Sequence, residues 1–151
     1  MNGSVYQTAN VVLLVEDNED HAEMVKQSFG DDTTTKEIHW VKDGQEALDF
    51  LQHKGKHTDA PRPALVLLDL NLPKANGLEV LQVIKQDQNL KVIPVVMLTT
   101  SDRNDEILAC YRLGANSFIT KPVRYEEYFD KLQSLERYWF NTNCEPSAVN
   151  Q

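Results

Sequence analysis

The chain has 151 residues, of which 41% are hydrophobic and 25% are charged, and its formal net charge at pH 7 is −8. This length and composition are typical of one globular domain. The chain has no apolar run near the roughly 18 residues of a membrane span and no signal-peptide pattern, so we expect a cytoplasmic protein. The net negative charge argues against nucleic-acid binding.

The first half of the chain predicts two strands and two helices in alternation. Residues 1–10 are polar, and we expect them to be flexible. The apolar run Val11–Val15 predicts a strand buried on both faces, and a shorter run at 38–41 predicts a weaker second strand. A helix is predicted after each strand, and Asp43 with Glu46 three residues later forms a capping-box-like start for the second helix.

The third strand is predicted at 64–70, where five apolar residues run without a break into Asp69. A buried helix segment could give the same pattern, but Pro73 limits the length to that of a strand. Asp69 then lies at the carboxyl end of the strand, where it is either a turn former or a functional group. A third helix is predicted at 77–85.

The second half repeats this alternation. A fourth strand is predicted at 92–98, and the polar run 99–102 offers N-cap side chains for a fourth helix. A fifth strand is predicted at 117–120, and a long amphipathic helix follows it. We expect one domain at 11–140 and a loose tail at 141–151.

Five strand–helix units in strict alternation predict an α/β fold, a doubly wound parallel sheet with helices on both faces. Such sheets bind ligands at the carboxyl ends of their strands. The predicted strand ends deliver three carboxylates, one hydroxyl and one ammonium: Glu16, Asp17, Asp69, Thr99 and Lys121.

Taken alone, each of these side chains has a structural explanation as a helix cap, a turn former or a solvated loop residue. Taken together, their carboxylates would repel one another without a counter-ion. Carboxylate oxygens suit Mg²⁺, while the ammonium and the hydroxyl could bind phosphoryl oxygens. The set therefore indicates phosphate chemistry on a carboxylate.

The same five residues, with the motif LLDLNLP and the Lys-Pro pair at 121–122, resemble the receiver domain of two-component response regulators. The resemblance covers about residues 10 to 140 and implies a flavodoxin-like sheet of order 2-1-3-4-5. It implies that Asp69 accepts a phosphoryl group from a sensor histidine kinase. It also implies that Asp17, Asp69 and the backbone carbonyl of Asn71 hold Mg²⁺, with Glu16 acting directly or through water.

The resemblance assigns phosphoryl binding and switching to Thr99, Lys121 and Phe118. Thr99 would move toward the phosphoryl group, and Phe118 would turn inward as it does so. Two positions depart from the family pattern. Glu16 stands where most receivers have aspartate, and Phe118 stands where tyrosine is commoner.

Three segments, DLNLPKANG, IPVVMLTTS and ERYWF, are similar to the small stand-alone response regulators of cyanobacterial and bacterial phytochrome histidine kinases. This resemblance implies a light-regulated kinase as partner and a homodimer. The aromatic residues of the last segment, at 138–140, either contact a second copy or fold back on their own domain. Output would then depend on a change of surface conformation or association.

Two alternative functions are weighed against the phosphoacceptor: a module that keeps the receiver fold without its chemistry, and a phosphatase that also uses a carboxylate at a strand end. A pseudo-receiver, which binds partners without phosphoryl chemistry, predicts the loss of Asp17, Asp69 or Lys121, yet all are present. An aspartate-nucleophile phosphatase needs an acid two residues after the nucleophile. Asn71 stands at that position and cannot act as a general acid, so a phosphoacceptor is the favoured interpretation and an enzyme is not.

Overall fold

One parallel sheet of five short strands organises the structure, a computed structural model that describes residues 11–29 and 36–142. The predictions for 1–10 and for most of the tail at 141–151 lie outside the described residues. The strands are β1 (Val11–Val15), β2 (Glu37–Val41), β3 (Leu65–Asp69), β4 (Val95–Thr99) and β5 (Ser117–Thr120). Their order is β2-β1-β3-β4-β5, so the predicted fold class and topology are confirmed.

Within residues 11–29 and 36–142, five α-helices connect and follow these strands and cover both faces of the sheet. They are α1 (Glu19–Phe29), α2 (Gly44–Gln52), α3 (Gly77–Gln86), α4 (Asn104–Arg112) and α5 (Tyr125–Arg137). A 3₁₀ turn at Gly55–His57 follows α2, and a π-helical turn at Tyr138–Thr142 follows α5. None of the described helices is long and apolar enough to cross a membrane.

The three central strands are buried along their whole length, which explains their uninterrupted apolar sequences. Because successive side chains point to opposite faces, β1 contributes to two cores. Leu13 and Val15 pack with residues of α2 and α3, while Val12 and Leu14 pack with residues of α1 and α5. Both cores hold β1 and β3 in place, so the loops after these strands start from a fixed base.

The fourth strand begins at Val95, so the predicted start at Val92 is wrong. Val92 is 50% exposed and lies in the turn before the strand. Pro94 lacks a backbone N–H, and the ladder therefore starts at the next residue. The ammonium of Lys85 donates to the carbonyls of Lys91 (3.0 Å) and Ile93 (2.9 Å), which fixes the turn against α3.

The predicted capping side chains of α4 have other partners. The helix begins at Asn104 after Arg103, whose guanidinium is engaged with Asp105. The Ser101 hydroxyl donates to the Glu106 carboxylate, and the Thr99 hydroxyl accepts from the Ser101 N–H at 3.2 Å. The polar run 99–102 therefore orders the loop after β4, and its predicted role as a helix cap is wrong.

The capping-box prediction for α2 is half right. The Asp43 carboxylate accepts from the Glu46 N–H at 2.7 Å, but the Glu46 carboxylate is bonded to His57 at 3.0 Å. A complete capping box occurs at α3, where Asn76 and Glu79 exchange side-chain and backbone bonds of 2.9 and 3.0 Å. This box fixes the start of α3 just after the loop that follows Asp69.

The C-terminal turn folds back on the domain. Trp139 and Phe140 pack against the core beneath α1 and α5, and Phe140 meets Phe29 edge-on with ring centroids 6.3 Å apart. The Lys36 ammonium lies 2.5 Å from the Glu136 carboxylate in the last turn of α5. Tyr138 is 51% exposed, so it is the one aromatic residue of 138–140 that points to solvent.

Candidate functional site

The carboxyl ends of β1, β3, β4 and β5 bring all five predicted strand-end residues to one edge of the sheet. The parallel register pairs Val15 with Leu68, so Glu16 and Asp69 follow at the same level on neighbouring strands. Thr99 is the last residue of β4 and pairs with Thr120, which directly precedes Lys121. Their side chains meet because parallel strands end together.

Three carboxylates form an acidic cluster at this edge. Glu16, Asp17 and Asp69 each offer an oxygen that lies within 4.8 Å of the others. Glu16 is 1% exposed and Asp69 is 6% exposed, whereas Asp17 faces solvent. The cluster therefore has a buried floor and an open side, through which a cation could enter.

The buried ammonium of Lys121 neutralises part of this charge. Its Nζ lies 2.5 Å from Glu16 Oε1 and 3.1 Å from Asp69 Oδ2. A third contact, of 3.0 Å, joins Nζ to Nδ1 of His21. These contacts tie β5 to β1, β3 and α1 through a single side chain.

Burial in the acidic cluster raises the pKa of Glu16. Burial, followed by the negative charge of Asp69, raises this pKa to about 7, although Lys121 acts in the opposite direction. One ammonium against three carboxylates leaves the site negative overall. A hard divalent cation bound by carboxylate oxygens fits this donor set, because it would supply the missing positive charge.

The loop after β1 is fixed by two hydrogen bonds between the backbone of Glu16 and residues of β2. The Glu16 N–H donates to the Val41 carbonyl at 3.1 Å, and the Trp40 indole N–H donates to the Glu16 carbonyl at 2.6 Å. The ammonium groups of Lys26 and Lys42 lie 4.5 and 4.9 Å from the centre of the indole. Trp40 therefore lies between the backbone of the acidic cluster and the side chains of Lys26 and Lys42.

The loop after β3 is tightly packed against two glycines. The Gly77 N–H donates to the Leu70 carbonyl at 2.8 Å, and a Cβ on Gly77 would lie 2.3 Å from the Asp69 carbonyl oxygen. A Cβ on Gly44 would lie 1.8 Å from the Ala75 carbonyl oxygen. Only glycine fits at these two positions, so α2 and α3 together define the path of the loop.

Asn71 and Thr99 complete the edge on the side of β4. The Asn71 N–H donates to Asp69 Oδ1 at 3.1 Å, and its side-chain amide lies 3.4 Å from the Thr99 hydroxyl oxygen. Thr99 is fully buried. Asn71 therefore links Asp69 to the buried hydroxyl of Thr99.

Phe118 lies farther from the acidic cluster, in β5, where its backbone pairs with Met97. The ring is half-buried against the core that contains α2 and α3. It also lines a shallow groove of about 640 Å³ between β5 and α5. The other residues of this groove are Ile119, Thr120, Asp130, Lys131, Ser134, Leu135 and Tyr138.

His21 and Trp40 are the site residues that the sequence did not reveal. The His21 ring lies edge-on to Tyr125 and Tyr128 of α5, with centroid distances of 6.4 and 6.0 Å. Burial, and then the charge of Lys121, lowers the pKa of His21. The sequence did offer one indication of His21, because the first turn of a helix that follows a strand lies at the edge where that strand ends.

Comparison with known proteins identifies relatives of this chain. A family model described as the response regulator receiver domain matches residues 12–133. Response regulator Rcp1 of Synechocystis sp. is 43% identical over 138 residues, which cover 91% of this chain and 94% of Rcp1. The probable methanogenesis regulatory protein FilR2 of Methanothrix harundinacea is 41% identical over 140 residues, which cover 92% of this chain and 89% of FilR2.

Two solved structures match over nearly the same range. The Mn²⁺-bound form of Rcp1 superposes with a TM-score of 0.88 at 42% identity, covering 91% of this chain and 99% of that one. The phosphorylated cyanobacterial phytochrome response regulator RcpA superposes with a TM-score of 0.89 at 40% identity and equal coverage. Relatives with this fold thus include one with a bound divalent metal and one that is phosphorylated.

Proposed function

The chain belongs to the response regulator receiver domain family, and on that basis we propose that Asp69 accepts a phosphoryl group from a histidine kinase. The observation that carries this proposal is the position of Lys121. Its ammonium lies 3.1 Å from Asp69 Oδ2 inside an acidic cluster, where it could bind an oxygen of an incoming phosphoryl group. The phosphorylated state of RcpA supports the same chemistry.

Phosphoryl transfer requires mainly that the protein positions the reacting groups and stabilises the negative charge of the phosphoryl oxygens. An Asp69 oxygen attacks the phosphorus of a phosphohistidine, a P–O bond forms, the P–N bond breaks, and the leaving imidazole nitrogen keeps the electron pair and takes a proton. Lys121 donates a hydrogen bond to one phosphoryl oxygen. The Thr99 hydroxyl, which lies at the end of the neighbouring strand, donates to another.

The metal that we propose for this site is Mg²⁺. Asp17, Asp69 and the backbone carbonyl of Asn71 would hold it, with Glu16 as a direct ligand or a partner through water. Bound there, the ion would offset negative charge on the transferring group. The carboxylate donor set and the Mn²⁺-bound form of Rcp1 support a divalent cation of this type.

We propose a phytochrome histidine kinase as the phosphodonor, and a cytoplasmic location beside it. The similarity to RcpA, described as a phytochrome response regulator, supports this choice. FilR2, described as a methanogenesis regulatory protein, is almost as similar. Phosphotransfer from a panel of purified kinases therefore decides the partner, and the proposal requires faster labelling by a phytochrome kinase than by kinases of other sensor classes.

Output from the phosphorylated state would follow from movement of Thr99 and Phe118. Phe118 lines the groove between β5 and α5, so a change in its rotamer alters an exposed surface. We propose that this surface contacts a second copy of the chain. We propose that the protein acts as a signalling phosphoacceptor that takes part in phosphotransfer and in its own dephosphorylation.

The site assignment is tested by replacing Asp69 with asparagine. We expect Asp69→Asn to abolish Mg²⁺-dependent labelling by acetyl phosphate or by the kinase, because the amide is not a nucleophile for this transfer. Asp59→Asn is the matched control, since Asp59 is exposed in the loop before β3 and should label normally. Labelling of Asp69→Asn with the same stoichiometry as the parent would refute the assignment.

A further inference from the structure

The Lys121 ammonium has three N–H donors, and the structure gives each of them an acceptor. Two acceptors are the carboxylates of Glu16 and Asp69, and the third is Nδ1 of His21 at 3.0 Å. An ammonium can only donate, so Nδ1 must accept and the ring proton must lie on Nε2. His21 thus orients Lys121 without contributing a carboxylate to the site.

The position of this acceptor is fixed from two sides. The His21 backbone N–H donates to Asn18 Oδ1 at 3.0 Å, which holds the residue in the first turn of α1. Its ring lies edge-on to Tyr125 and Tyr128, which hold it from α5. The ring nitrogen is therefore a preorganised acceptor for the flexible lysine side chain.

We propose that His21 is a positioning residue for phosphoryl transfer to Asp69, acting through Lys121; the proposal rests on the phosphoacceptor function given above. When an Asp69 oxygen bonds to phosphorus, the carboxylate loses its charge and becomes a weaker acceptor. The N–H that pointed at Asp69 then turns to a phosphoryl oxygen. Glu16 and His21 keep the other two N–H groups, so the ammonium stays in place while one donor changes its acceptor.

The neutrality of His21 is part of this role. The site already contains three carboxylates, and a fourth anion would repel the incoming phosphoryl group. An imidazole directs the ammonium without adding negative charge. This separates His21 from Glu16, which both orients Lys121 and contributes to the acidic cluster.

Two substitutions separate the acceptor from the ring. His21→Phe keeps an aromatic ring against the tyrosines but removes the acceptor. His21→Asn removes the ring but keeps an acceptor, because Asn Oδ1 is as many bonds from Cα as His Nδ1. With acetyl phosphate as donor at saturating Mg²⁺, we expect the labelling rate to fall about tenfold in the Phe variant, the loss typical of one hydrogen bond to a charged group. The Asn variant should stay within about twofold of the parent, a difference well below the value of such a bond.

Three controls exclude a general structural effect. His39→Phe replaces another partly buried histidine, which is paired with Glu37 on β2, and should leave the rate unchanged. Mg²⁺ affinity should be the same in all variants, because His21 is not among the proposed ligands. Thermal unfolding shows whether the Phe variant is folded, and His21→Leu replaces it if the larger ring disturbs the tyrosines.

The outcomes are distinct. An unchanged rate in the folded Phe or Leu variant overturns the proposal, and so does an Asn variant that labels no faster than the Phe variant. If the parent protein takes no label on Asp69, the proposed function fails before the role of His21 is reached. The role of His21 is supported if the Phe variant labels slowly, the Asn variant labels at nearly the parent rate, and all variants bind Mg²⁺ equally well.

Discussion

At the scale of single residues, Glu16 is the clearest departure from the family pattern. Its pKa of about 7 arises from burial and from the charge of Asp69. A carboxyl group with a raised pKa binds its proton more tightly in the folded state, so the metal-free protein loses stability as pH rises from about 4.5 through 7. The proton and a cation compete for the same oxygens.

This competition gives a prediction for metal binding. Between pH 6 and pH 8 the deprotonated fraction of a group with a pKa near 7 rises about tenfold, and Mg²⁺ affinity should rise with it. Isothermal titration at several pH values measures the affinity. Glu16→Gln has no such proton and should flatten the profile, whereas a flat profile in the parent protein contradicts the prediction.

Trp40 provides an optical readout of the same site. Its indole N–H is bonded to the Glu16 carbonyl at 2.6 Å, so a cation held by the adjacent carboxylates should change its emission. Mg²⁺ should therefore alter the fluorescence of the parent protein. The sequence has two tryptophans, which offers a matched pair of variants: Trp139→Phe should keep the response, and Trp40→Phe should lose most of it. A fluorescence response that persists in Trp40→Phe and is lost in Trp139→Phe would contradict this prediction.

At the scale of secondary-structure elements, the contact between α2 and the β3–α3 loop fixes the path of the loop that follows Asp69. Gly44→Ala would place a methyl group 1.8 Å from the Ala75 carbonyl oxygen, a backbone atom that cannot turn aside. We expect a loss of about 1–3 kcal/mol in the free energy of unfolding and slower labelling of Asp69, because the loop must shift. Denaturant unfolding measures the first effect, and Gln45→Ala at the neighbouring exposed position is the control.

The elements also show what the amino-acid sequence can predict. β1 and β3 were predicted from apolar runs because both faces of these strands are buried, so burial and sequence agree residue by residue. The start of β4 was misplaced because Val92 is apolar yet exposed in a turn. The cap of α4 was wrong because Ser101 bonds a side chain, a choice that the local sequence does not reveal.

At the scale of the whole molecule, alternation along the chain was enough to predict the convergence of the acidic cluster, Thr99 and Lys121. Parallel strands end at one edge, and that rule needs no knowledge of side-chain contacts. The contact between Lys121 and His21 joins residues 100 positions apart and depends on the side-chain orientation of the histidine. No local pattern encodes it, so only the folded structure reveals this partner.

Association is the other whole-molecule question. Trp139 and Phe140 pack on their own domain, whereas the exposed Tyr138 and the groove between β5 and α5 offer a surface for a second copy. We expect a dimer by light scattering, with a mass that increases or an affinity that tightens when a phosphoryl analogue is bound. A monomer of unchanged mass in both states removes dimerisation as the output.

The ion pair between Lys36 and Glu136 has a practical consequence for engineering. It places the last turn of α5 beside the start of β2, at the end of the sheet away from Asp69. A fluorescent protein attached after residue 142 would therefore be joined to the domain on the side remote from Asp69. Fusions at this end should report the location and amount of the protein in living cells without blocking the access of a kinase to Asp69.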